Sequence, residues 1–147
     1  MADGPSRLRL PPPLLDAFAA AGWACGATPS PRAAALLAAV RSGPDPDGAL
    51  SRLAALFEAH PGLGEETLAH PRMGRALVAL VGASPALTRP GIFEPEALRR
   101  AAGGKAPDPI SLPVDDLPAA MAALRRHTAS RLLAIAAGDL TGRLDMP

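Results

Sequence analysis

Apolar residues recur along this chain at helical spacing. Leu50, Leu53, Ala54 and Phe57 follow the i, i+3, i+4, i+7 pattern of one buried stripe, which predicts a helix near 48–59. Asp47 reads as its cap, and His60-Pro61-Gly62 as its stop. Met73, Leu77, Leu80 and Val81 predict a second helix that starts at Pro71 and ends at Gly82. Leu36, Leu37 and Val40 share a face of another, which opens at Ser30-Pro31 and runs to about Arg41. The longest pattern is Leu117, Met121, Leu124, Thr128, Leu132 and Ile135. It predicts a helix over 116–137 or slightly beyond, capped by Asp115 or Asp116, with these residues as its apolar stripe.

Shorter segments fill the gaps. Leu14 to Ala21 predicts a short helix stopped at Gly22, with Trp23 as a packing anchor after it. Ser84-Pro85 opens a brief helix through Leu87, and Pro95 to Ala102 forms another, closed by Gly103-Gly104. No segment sustains period-two alternation, and aromatic residues are 3% of the chain, so strands are not expected. The fold class is all-α, an irregular helical bundle with a long C-terminal amphipathic helix. Its expected divisions are a flexible leader over 1–13, a short-helix bundle over 14–104, a Pro-rich loop over 105–115, and the long helix with its tail over 116–147. The stretch from Asp139 to Pro147 reads as cut, because a long amphipathic helix leads into something that it packs against.

Composition narrows the function classes. At 147 residues the chain suits one domain. Its 48% of hydrophobic residues excludes a disordered tail, although 18 prolines and 14 glycines impose many breaks. A net charge of +1 offers no field for nucleic acid or membrane surfaces, which argues against a helix-turn-helix DNA binder. The single cysteine, Cys25, excludes an internal disulfide and reads as a small core residue rather than a nucleophile. The N-terminus has no apolar region of signal-peptide type, and no run approaches the ~18 apolar residues of a membrane span. A cytoplasmic location is expected.

Candidate chemistry is sparse. His60 and His70, each followed by proline, enclose Glu65 and Glu66 but fall at helix boundaries, not at i, i+4 on one face, so a metal site is not expected. Gly103-Gly104-Lys105 lacks the hydroxyl residue and the preceding strand of a phosphate loop and reads as a helix stop. Arg125, Arg126 and Arg131 on the long helix, with Arg99 and Arg100 before it, form a basic face. That face is either solvated or a partner contact, and the first three arginines are the candidate contact residues.

One run on the long helix carries a resemblance: Leu124-Arg125-Arg126, then Arg131-Leu132-Leu133-Ala134-Ile135-Ala136-Ala137-Gly138-Asp139-Leu140-Thr141-Gly142. It resembles the helix that precedes the catalytic domain in glutamine synthetase adenylyltransferases. Leu14-Leu15 to Gly22-Trp23 followed by Pro31 to Leu37, and Leu80 to Leu87, are similar to earlier segments of that family in the same order. Ala134 and Gly138 stand where the family often has arginine, and Thr88-Arg89-Pro90 departs from its usual continuation.

The resemblance implies the N-terminal, non-catalytic part of an enzyme that moves AMP from ATP to glutamine synthetase. ATP and Mg²⁺ then belong only to a downstream nucleotidyltransferase domain, which has a Gly-Ser turn followed by an Asp-x-Asp pair. That motif is missing here. Asp45-Pro46-Asp47 matches by letters but sits in a Pro-Gly loop with no strand, so no catalytic residue, cofactor or metal is assigned to this chain. The expected partner is the downstream domain or glutamine synthetase, with no nucleic acid or membrane. The alternative is an independent helical protein-interaction module.

Overall fold

Turn chemistry divides the chain into short helices, and the structure follows it closely. The structure is a computed structural model that describes residues 9–142, with residues 90, 91 and 93 described by their backbone alone. Among these residues are α1 (Leu15–Ala20), α2 (Ala34–Arg41), α3 (Pro46–Ala59), α4 (Leu63–Ala69), α5 (Pro71–Ala83), α6 (Pro85–Phe93), α7 (Pro95–Ala102) and α8 (Leu117–Leu140). The fold is an all-α irregular bundle. Proline occupies the first turn of α3, α5 and α7, where its missing N–H is no loss and its fixed φ suits the helix.

Several boundaries differ from the sequence reading, each for a local reason. Asp45, not Asp47, caps α3: its Oδ1 accepts from Gly48 N at 3.1 Å, which leaves Asp47 in the first turn. Helix α4 has no sequence signature, because seven residues between two His-Pro breaks are too few to display a period. Ser30 accepts from Ala33 N at 3.3 Å, but residues 31–33 form a turn and α2 proper begins at Ala34. Of the leader expected over 1–13, residues 1–8 lie outside the described residues. Leu10 is buried and donates its N–H to Ala27 O at 3.2 Å, so the segment is already tied down there.

Two strands were not expected. β1 (Ala24–Cys25) and β2 (Thr28–Pro29) pair antiparallel, Ala24 opposite Pro29 and Cys25 opposite Thr28. Two residues per strand cannot produce a visible alternation. The alternation nevertheless decides the fate of Cys25. Ala24 turns inward and Cys25 outward, so the cysteine is exposed rather than a core residue.

The centre of the core is aromatic. Phe18 on α1, Trp23 after it and Phe57 on α3 form a triad, with ring centroids 5.6 Å apart for Phe18–Phe57 and 5.1 Å for Trp23–Phe57. Trp23 is the anchor expected of it: fully buried, it donates Nε1–H to Gly64 O at 3.0 Å. Gly64 itself must be glycine, because a Cβ there would lie 2.5 Å from Ala21 O and 2.8 Å from Ala21 Cα. Gly22 takes φ +74° to end α1, which lets Trp23 N bond Phe18 O at 2.8 Å. Around this centre α5 packs against α2, α3, α4, α6, α7 and α8, and its Met73, Leu77, Leu80 and Val81 are buried as their spacing predicts.

Candidate docking face on the long helix

Helix α8 is started by Asp116, whose Oδ1 accepts from Ala119 N at 3.0 Å, with Pro118 in the first turn. It lies against α7, α5 and α6. Its inner side is small. Leu133, Ala137 and Gly138 are buried, and Ala119, Ala122, Ala123, Ala129 and Ser130 are half-buried along the same side. An alanine-lined surface lets the helix approach its neighbours closely, with Leu133 as the one large side chain inserted into the core.

The apolar stripe of α8 faces away from the bundle. Leu117, Met121, Leu124, Leu132 and Ile135 are 43–72% exposed, and Thr128 between them is exposed as well. The spacing placed these residues on one face without saying what that face meets: the helix is apolar on two sides, and the side of small residues is the one that packs against the bundle. Leu112, Val114 and Leu140 are also exposed. Among the described residues, every large exposed hydrophobic side chain therefore belongs to the segment 112–140.

The three candidate arginines separate. At about 100° per residue, Arg125 borders the outer stripe on one side and Arg131 on the other. Both are exposed, and neither has an ion-pair partner among the described residues. Arg126 projects on the inner side, where its Nε lies 3.8 Å from Glu94 Oε1. It lines a small polar cleft of about 220 Å³ with Arg100, Asp108 and His127. There Arg100 pairs with Asp108, which raises its pKa above the usual arginine value. Arg99 is structural too: its Nε donates to both Glu66 oxygens at 3.0 and 2.8 Å, joining α7 to α4, and that hydrogen bond raises its pKa. The basic face anticipated from sequence is thus divided between internal struts and two cations on α8 that have no ion-pair partner among the described residues.

The other candidates are occupied with local structure. His60 Nε2 is 2.7 Å from Ile92 O, and His70 Nδ1 is 3.0 Å from Glu66 O. Among the described residues no three His, Cys, Asp or Glu side chains gather as a metal site would need. Asp45 binds Arg52 at 3.2 Å, and Arg52 also donates to Val81 O at 2.9 Å, so this aspartate holds the arginine that joins α3 to α5. The N–H groups of Gly103, Gly104 and Lys105 all bond carbonyls of α7, which makes the run a helix stop rather than a phosphate cradle.

Beside Arg131 lies a feature that the sequence did not disclose. The turn after α7 and the outer flank of α8 enclose an open cleft of about 470 Å³, lined by Gly104, Lys105, Pro107, Arg131, Ile135 and Gly138. Lys105 is exposed here and has no ion-pair partner among the described residues. A second groove of about 670 Å³, between α2, α5 and the end of α8, is lined mainly by apolar groups such as Leu36, Val78 and Leu140. No described helix is long and apolar enough to cross a membrane. Compared with family models, curated proteins and solved structures, the chain matches none.

Proposed function

We propose that this chain is the N-terminal, non-catalytic helical part of a glutamine synthetase adenylyltransferase, and that it docks on the nucleotidyltransferase domain through the outer face of α8. One observation carries the reading. The segment that holds every large exposed hydrophobic side chain among the described residues, 112–140, also holds the run that resembles the family's helix before its catalytic domain. Patches of this kind mark interaction surfaces, because water penalises a row of uncovered leucines. The remaining helices then serve as a platform. Their core closes around Phe18, Trp23 and Phe57 without the outer face of α8. ATP and Mg²⁺ belong to the partner domain, and a cytoplasmic location accompanies this role.

The test is reconstitution in trans. A nucleotidyltransferase domain of an adenylyltransferase, stripped of the helices before it, is mixed with this chain and with glutamine synthetase. The chain is expected to bind the domain and to transfer no AMP by itself. Transfer by the isolated chain, or no association with the domain, would contradict the proposal.

A second reading is an independent helical interaction module, favoured by the same closed core. Under it the chain is a well-behaved monomer that ignores the nucleotidyltransferase domain and engages an unrelated protein.

A further inference from the structure

The exposed stripe on α8 has a defined electrostatic border, and that border selects what covers it. We infer that the outer face of α8 receives an amphipathic helix of a partner protein whose apolar stripe is flanked by carboxylates. The inference rests on the reading of this face as a docking surface and adds the chemistry of its occupant.

Geometry sets the shape. From Leu117 to Ile135 the stripe runs about 27 Å along the axis, at 1.5 Å per residue. Leu117, Met121, Leu124, Leu132 and Ile135 form a straight ridge of the kind that an opposing helix covers with residues at i, i+3, i+4 and i+7. Next to the C-terminal half of the ridge, the cleft of about 470 Å³ beside Ile135 has room for a large apolar side chain.

Charge sets the identity. Arg125 stands on one border of the ridge, and Arg131 with Lys105 on the other. Helix α8 carries no Asp or Glu between Leu117 and Gly138; Asp139 comes only in its last turn, and Asp116 is taken up as the cap. Three cations without ion-pair partners among the described residues therefore border an apolar surface with no acid between them. An occupant with carboxylates at its edges neutralises them, whereas a cationic one is repelled.

A second copy of the chain fits poorly. Packed antiparallel, with Leu117 against Ile135 and Met121 against Leu132, two α8 helices bring both Arg125 side chains together at the centre. Packed parallel, they set the Arg125 border of one copy against the Arg131 border of the other. The acid-free middle of α8 supplies nothing to offset either arrangement.

The probes are two synthetic helical peptides of about 20 residues, long enough to cover the ridge. Both carry leucines on one face; one has glutamates along both borders and the other has lysines. Binding to the full chain is read by fluorescence anisotropy at low and high salt. The glutamate peptide is expected to bind at least tenfold tighter than the lysine peptide, with salt reducing the difference. The variant Lys105→Glu, Arg125→Glu, Arg131→Glu is expected to reverse the order. All three side chains are exposed, and circular dichroism checks that the variant keeps its helices. Equal binding of the two peptides, or an unchanged order in the variant, overturns the inference. So does a dimer of the chain that Ile135→Glu dissociates, because the occupant would then be a second copy. A charge-reversed variant that still binds the nucleotidyltransferase domain as tightly as the parent sinks this inference and leaves the proposed function standing. A domain that fails to bind while the peptides discriminate does the opposite.

Discussion

At the level of single residues, the fold turns on positions where one atom more or less is decisive. Gly64 is the clearest. Its carbonyl accepts from both Trp23 Nε1 and Thr67 Oγ1, and the backbone of Ala21 lies against its Cα. Gly64→Ala is expected to lower stability by about 1–3 kcal/mol, the usual cost of overpacking a closed interior, and to move the tryptophan fluorescence as the ring is displaced. Thermal unfolding followed by fluorescence checks this. That Trp23 anchors the core was legible from its place after a helix-stopping glycine. Its partner was not, since nothing local links residue 23 to a carbonyl on a helix that was itself too short to recognise. The exposure of Cys25 was hidden for a related reason: composition placed it inside, while two residues of strand alternation turned it out.

At the level of elements, helices α2, α3, α5 and α7 were readable because Pro, Asp and Gly punctuate them and their large apolar residues lie on one side only. Helix α8 was readable in extent but not in orientation. Large residues dominate any count of apolar positions, so the ridge from Leu117 to Ile135 was legible while the inner side of small residues was not. Close approach favours small residues, and the alanine side with Leu133 packs instead. A matched pair of substitutions at adjacent positions tests this directly. Leu133→Ala, which empties a fully buried site, is expected to cost about 2–5 kcal/mol. Leu132→Ala, on the exposed ridge, is expected to change stability by no more than about 0.5 kcal/mol. Denaturant melts of the two variants distinguish the faces, and equal losses would mean that the ridge is packed. The cap is a separate device: Asp116→Ala is expected to cost about 1 kcal/mol and to fray the start of α8, seen as a small loss of helical ellipticity.

At the level of the whole molecule, charges that serve the fold are distinct from charges that do not. Arg52, Arg99, Arg100 and Arg126 each meet an acid on another element or loop and hold the bundle together. Among the described residues, Lys105, Arg125 and Arg131 meet no acid, and they border the stretch where the large apolar side chains face water. The sequence could name Arg125, Arg126 and Arg131 as a set, because they share a helix. It could not divide them, because the division depends on which side of that helix the bundle occupies. Likewise it could propose a docking role from resemblance, but the ridge and the adjoining cleft exist only once α7, its turn and α8 are in place. The packed side and the proposed docking face are thus two sides of α8, small residues inward and large ones outward.

The most direct test of that claim is the affinity of the double variant Leu132→Ser, Ile135→Ser for the nucleotidyltransferase domain, measured by calorimetry beside the parent chain. The expected result is a variant with an unchanged melting temperature and binding weaker by a factor of about ten or more, from the loss of roughly 1.4 kcal/mol or more of interfacial burial. Parental affinity in the variant, or a collapse of its stability, would contradict it.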